Sequence, residues 1–133
     1  MDDVIIKVYR HLLQNGFENT GSIEHPSIFL DTKLEGIPIC GQAAKDYMNI
    51  YIMIEHNKIE DIKYLCFCDP VANVVVETLC NLVKGKMLED VKTLTEADFT
   101  RTLGSNDDTL QKKAGRIIEL FNRGIKRFEH PEK

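Results

Sequence analysis

Most of the chemistry open to this 133-residue sequence rests on four cysteines, Cys40, Cys66, Cys68 and Cys80. Thiolates are nucleophiles and soft ligands for iron and zinc. No pair has CxxC spacing, and Cys66 with Cys68 makes only a CxC, a weaker signal. Cys40 lies beside Gly41 and close to Pro38, in a loop composition that leaves a thiol accessible as a ligand or a sulfur acceptor. Cys68 precedes Asp69-Pro70, which reads as a helix start, and the positive end of the helix dipole favours its thiolate. Cys66 shares a period-two face with Ile62 and Tyr64 and reads as core, as does Cys80 beside Leu79. His11, His25, His56 and His130 do not cluster at ligand spacing. A cysteine-dependent enzyme built on Cys40 would need a Cys–His–Asp order or an oxyanion motif, and neither is visible.

Composition narrows the setting. The chain is 43% hydrophobic and 29% charged with a net charge of −4, a globular balance for one domain over residues 1–133. Lysine and arginine are dispersed and form no basic stripe, so nucleic acid is not the expected partner. No apolar run reaches the roughly 18 residues needed to span a membrane. The opening MDDVIIKVYR lacks the basic start and long apolar core of a signal peptide. A reducing cytoplasm is expected, where cysteines serve as ligands or core residues sooner than as disulfides.

Several elements must position these groups. Ile5, Val8, Tyr9, Leu12 and Leu13 recur at helical spacing, with Asp2 or Asp3 available as a cap and Gly16 as a stop. Residues 17–46 read as irregular apart from one short strand, Ser27 to Leu30. Met48, Ile50, Ile52 and Ile54 alternate with Asn49, Tyr51, Met53 and Glu55, a half-buried strand. A turn at His56-Asn57-Lys58 leads to a second strand with Ile62, Tyr64 and Cys66 on one face. Asp69 caps the next helix with Pro70 at its first position; Ala72, Val75, Val76, Leu79 and Val83 line one side, and Gly85 closes it. Residues 87–98 give a short helix and a connection. After a loop at Gly104 to Asp108, Leu110, Ala114, Ile117, Ile118, Phe121, Ile125 and Phe128 form the apolar face of a long last helix. The fold class is α+β: a three-stranded antiparallel sheet with helices on one face, an N-terminal helix and a long C-terminal helix.

The stretch Asp46-Tyr47-Met48-Asn49-Ile50-Tyr51-Ile52, then Lys58-Ile59-Glu60-Asp61-Ile62, then the Cys-Asp-Pro helix ending in Val83-Lys84-Gly85-Lys86, resembles the IscU/NifU N-terminal type of iron–sulfur cluster scaffold. The resemblance spans nearly the whole chain and is sharpest between Asp46 and Lys86. It implies a non-enzymatic scaffold or carrier that receives sulfur from a cysteine desulfurase and hands a cluster to acceptor proteins. It further implies three cysteine ligands aided by an aspartate.

This sequence departs from that pattern. Cys40-Gly41 is followed by Gln42, and an ungapped match places Asp46 at the aspartate and Ala44 at the first cysteine. Asp69 falls on the second cysteine, with Cys68 one residue before it. The region of the third reads Gln111-Lys112-Lys113-Ala114-Gly115, without a thiol. Lys112 and Lys113 read as a solvated helix start; a Lys113 cation at the missing ligand's place would repel a metal. The candidate cofactor-binding residues are therefore Cys40 and Cys68, and the candidate metal ligands Cys40, Asp46, Cys68 and Asp69. Asp69 also has a sufficient role as a helix cap, and Asp46 as a solvated loop end. The expected cargo is an iron–sulfur cluster, or a single iron or zinc ion given two hard carboxylates. The alternative is a family member that kept the fold, lost the cluster and serves as an interaction or regulatory module. A homo-oligomer pooling its cysteines is also open.

Overall fold

The computed structural model describes residues 2–41 and 44–131. Gln42, one of the positions at which the sequence departs from the scaffold pattern it resembles, lies outside them. The elements are α1 (Asp3–Asn15), β1 (Ile28–Asp31), α2 (Thr32–Glu35), β2 (Tyr47–Glu55), β3 (Lys58–Phe67), α3 (Pro70–Val83), α4 (Leu88–Val91), α5 (Glu96–Leu103) and α6 (Asp108–Glu129). The strands form one antiparallel sheet in the order β1-β2-β3, and helices cover one of its faces. This is the α+β class expected.

Met48, Ile50, Ile52 and Ile54 point into the core as their alternation requires. His56 and Asn57 turn the chain with φ of 55° and 60°, the double left-handed geometry of a tight hairpin, between paired Glu55 and Lys58. One feature escapes simple alternation. The register slips between Met53 and Ile54, so Met53 pairs with Asp61 and Ile54 with Ile59. This bulge turns both Ile59 and Ile62 inward although they are three residues apart.

The helices differ from their sequence reading where several neighbours meet. α3 starts as expected, with Asp69 accepting from the Ala72 N–H at 2.9 Å. Its burial is not confined to one side: Val71, Val74, Glu77, Thr78 and Cys80 are buried along with the expected face, because α1, α5, α6 and β3 surround it. Ile5 of α1 is buried, while Leu13 is 60% exposed and lies off the packed face. Asp2 makes no side-chain cap; its carboxylate accepts from the Ser105 hydroxyl at 2.7 Å. Residues 87–98 hold α4 and the start of α5, whose first turn is closed by Asp98 accepting from the Thr95 N–H at 2.8 Å. On α6 the packed face runs through Leu120 and Gly124, and Phe128 at its end is exposed. A side chain at Gly124 would come within 3.0 Å of Ile28 and 3.1 Å of Leu30, so glycine is what allows α6 to lie against β1.

A buried polar knot ties the connection after α1 to the sheet. Glu77 is 2% exposed and accepts from the Tyr64 hydroxyl at 2.9 Å and from Asn19 at 2.8 Å. Burial pushes the Tyr64 hydroxyl far above its ordinary range, so it stays a donor. Tyr64→Phe leaves a carboxylate oxygen without that donor in a buried place, and about 1–3 kcal/mol of stability should be lost; urea denaturation monitored by circular dichroism measures it.

Candidate functional site

α2 is a single turn that delivers the chain toward the sheet's end. Asp31 caps it by accepting from the Lys33 N–H at 2.9 Å, and Gly36 closes it in the left-handed region at φ 71°. The next residues alternate. Ile37 and Ile39 are buried, Pro38 is exposed and Cys40 is half-buried. The anchoring of its apolar neighbours thereby sets Cys40, partly buried, against the edge of the core.

Basic side chains of α6 grip this segment in register. Lys113 donates to the Ile39 carbonyl, Arg116 to the Pro38 carbonyl at 3.0 Å, and Arg123 to the Glu35 carbonyl at 2.8 Å. Arg123 and Arg127 both pair with the Glu35 carboxylate. Hydrogen bonding from Arg127, opposed by burial and reinforced by Arg123, holds that carboxyl below its usual range. The far side of the loop is held by Lys33, whose ammonium donates to the Ala44 carbonyl at 2.7 Å.

Cys68 arrives from the end of β3, just before the capped start of α3. Cys40 and Cys68, 28 residues apart in sequence, come together with Cα atoms 4.9 Å apart, within the reach of a disulfide, and their sulfurs are in contact. Both sulfurs also lie near the Tyr47 carbonyl, at 3.4 and 3.2 Å. The expectation that the cysteines are ligands or core residues rather than disulfide partners thus changes for this pair, because folding brings the two side chains onto one another. Asp46 precedes Tyr47, and a side chain at Gly41 would reach to 2.5 Å from its carboxylate, so the Gly41 backbone and Asp46 lie close together. A groove of about 340 Å³ opens beside Cys40, lined by Thr32, Lys33, Ile37, Pro38 and Asp46.

Asp69 is engaged elsewhere. One oxygen caps α3, and the other lies 3.3 Å from the Lys113 ammonium. Lys113, read from sequence as solvated, is mostly buried and bridges the residue before Cys40 to the residue after Cys68. Among the described residues, no three His, Cys, Asp or Glu side chains are gathered as a metal site. The donors gathered among the described residues thus do not make a closed four-ligand centre. Cys66, partly buried, turns to Asn73, 3.7 Å from its amide oxygen; burial, with the Asp69 carboxylate nearby, pushes its thiol up to about 11. Cys80 is fully buried and pushed higher still. The clamp from α6 and the bridging lysine were not found from sequence. The available signal was the repeated cation at positions 113, 116, 123 and 127 on one long helix.

The family described as the NifU-like N terminal domain matches residues 3–133. The chain belongs to this family. Two curated relatives, the iron–sulfur cluster assembly scaffold proteins IscU 1 and IscU 2 of Archaeoglobus fulgidus, are each 34% identical over 98 residues. That match covers 74% of this chain and 58% of each relative, so the chain spans little more than half their length. The crystal structure of the N-terminal part of a NifU-like protein from Brucella abortus is similar at a TM-score of 0.65 with 9% identity, over 98% of this chain and 95% of that one. A candidate cluster-assembly scaffold for the SUF system from Fervidobacterium islandicum AW-1 is similar at 0.51 with 17% identity, over 98% of this chain and 83% of that one. At these identities the two structures speak for the fold alone. Among the described residues of this NifU-like chain, no helix is long and apolar enough to cross a membrane.

Two outcomes follow for the clamp and the thiols. Glu35 has a folded pKa below its unfolded one, so its stabilisation is present above the ordinary carboxylate range and disappears as pH falls through the lowered value. Glu35→Gln should flatten that acid limb of a melting-temperature profile. In the reduced protein, native alkylation followed by peptide mass spectrometry should label Cys40 and Cys68 first, with Cys66 and Cys80 protected until unfolding.

Proposed function

We propose that this NifU-like chain is an iron–sulfur cluster assembly scaffold or carrier, which holds iron–sulfur cargo through Cys40 and Cys68 and passes it to acceptor proteins. The observation that supports this reading best is the meeting of those two thiols at an accessible corner, from segments 28 residues apart. Soft thiolates suit iron, and a site with few ligands of its own suits release as well as capture. The curated relatives, named as cluster assembly scaffolds, support the same reading.

In this proposal the protein's part is binding and presentation and not catalysis. Cys40 and Cys68 supply the soft ligands. Asp46, beside Gly41, supplies a carboxylate next to them, and Asp69 chiefly fixes the start of α3 and the place of Lys113. The remaining positions around an iron or zinc ion are completed by the cargo's own sulfide, by a thiol of a partner, or by a second copy. A cysteine desulfurase as sulfur source and cluster acceptors as recipients are the partners this role requires, in a cytoplasmic setting, within one domain over residues 1–133.

One observation favours the second reading, an interaction module without a cluster. The Lys113 ammonium lies beside Asp69, where a cation works against a bound metal. Anaerobic incubation with iron, sulfide and thiol, followed by UV–visible and Mössbauer spectra and metal counts, separates the two. A stoichiometric charge-transfer spectrum is expected from the wild-type chain and its loss from Cys40→Ala and from Cys68→Ala. A colourless wild-type protein holding neither iron nor zinc would sink the scaffold reading and leave the second.

A further inference from the structure

The sulfurs of Cys40 and Cys68 are in contact in a fold where both could also face a soft metal. A sulfur already bonded to its neighbour has no thiolate left to offer, so the two uses exclude each other. We propose that Cys40 and Cys68 form a reversible dithiol–disulfide switch, which withdraws both soft donors from the site when closed and restores them when opened. The switch regulates the metal cargo inferred above and rests on that reading.

Three features of the fold make the pair specific. First, its two halves are fixed independently: Ile37 and Ile39 anchor the Cys40 segment in the core, and the Asp69 cap fixes the turn that follows Cys68. Second, Lys113 straps the halves together. Its ammonium donates to the Ile39 carbonyl and pairs with the Asp69 carboxylate, one residue from each cysteine on its outer side. Third, the pair has no rival. Cys66 lies only two positions from Cys68 but turns to Asn73, and Cys80 is fully buried. The groove beside Cys40 gives a small reagent a way in.

Closure proceeds by thiol–disulfide exchange with a low-molecular-weight disulfide as oxidant. One protein thiolate attacks a sulfur of that disulfide, breaking its S–S bond and releasing one small thiol. The second protein thiolate then attacks the protein sulfur of the mixed disulfide and releases the other. The Cys40–Cys68 bond forms at the loss of two electrons from the protein, the external disulfide gains them, and the two protons finish on the released thiols. A small dithiol reverses the sequence.

The test uses the full chain, glutathione disulfide as oxidant, dithiothreitol as reductant and Zn2+ alone as the metal probe. Oxidation should yield a tryptic peptide pair linked through Cys40 and Cys68, with Cys66 and Cys80 still free. Zinc bound stoichiometrically by the reduced, reductant-free protein should fall at least about tenfold in affinity on oxidation and return on re-reduction. Lys113→Met should trap a larger share of protein as the glutathione mixed disulfide, and Lys113→Arg should behave as wild type. Circular dichroism identifies variants that fail to fold; the wild-type linkage and zinc measurements decide the matter without them. Absence of the Cys40–Cys68 linkage overturns the switch. Undiminished zinc affinity in the linked protein overturns the gating and leaves the cargo reading standing. A reduced protein that binds neither zinc nor iron overturns the cargo reading and the gating with it, even where the linkage forms.

Discussion

Cys40 sits on a stretch with almost no secondary structure of its own, and its position depends on the carbonyl groups of that stretch being held by α6. Lys113, Arg116 and Arg123 take the carbonyls of Ile39, Pro38 and Glu35, and Arg123 and Arg127 add the Glu35 carboxylate. Backbone carbonyls near a surface would otherwise find water and let the segment wander. Satisfied from a rigid helix, they fix the direction of Ile37 and Ile39 into the core and so hold Cys40 at its edge. The Gly124 contact with β1 serves the same end, because α6 must lie close to the sheet for its cations to reach.

The second half of the site depends on a different device. Asp69 accepts from the Ala72 N–H and faces Lys113, so one carboxylate both begins α3 and orients the lysine that bridges to the Cys40 side. Such a carboxylate has little left for a metal ion. The arrangement leaves two thiols as the soft groups of the site and puts a cation beside them. Under the scaffold proposal, this arrangement suits a site that is filled and emptied more than a closed metal centre.

Much of the frame was legible in the chain. The alternation from Met48 to Ile54, the Asp69-Pro70 helix start and the long apolar face of α6 each follow from local rules, and they hold because each residue's role is decided by neighbours close in sequence. The departures arise where distant neighbours intervene. Ile59 turns inward through a bulge, α3 is buried on several sides, Leu13 and Phe128 lie outside, and α2 is one turn, too short to display a period. At the site, the same division holds. The alternation Ile37-Pro38-Ile39 was present in the sequence as a signal of which residues are buried before Cys40, but it lay within a stretch rich in glycine and proline that reads as irregular.

By itself the sequence determined the fold class, the family resemblance and the candidate thiols, because patterning, capping and composition are properties of short segments. The tertiary structure alone decided that Cys40 meets Cys68, that Asp69 is shared between a helix cap and Lys113, and that Cys66 turns away from its near neighbour toward Asn73. Those outcomes turn on which segments are packed beside one another, across separations of tens of residues, and no local preference of the chain encodes the distance between two side chains that only the folded core brings together.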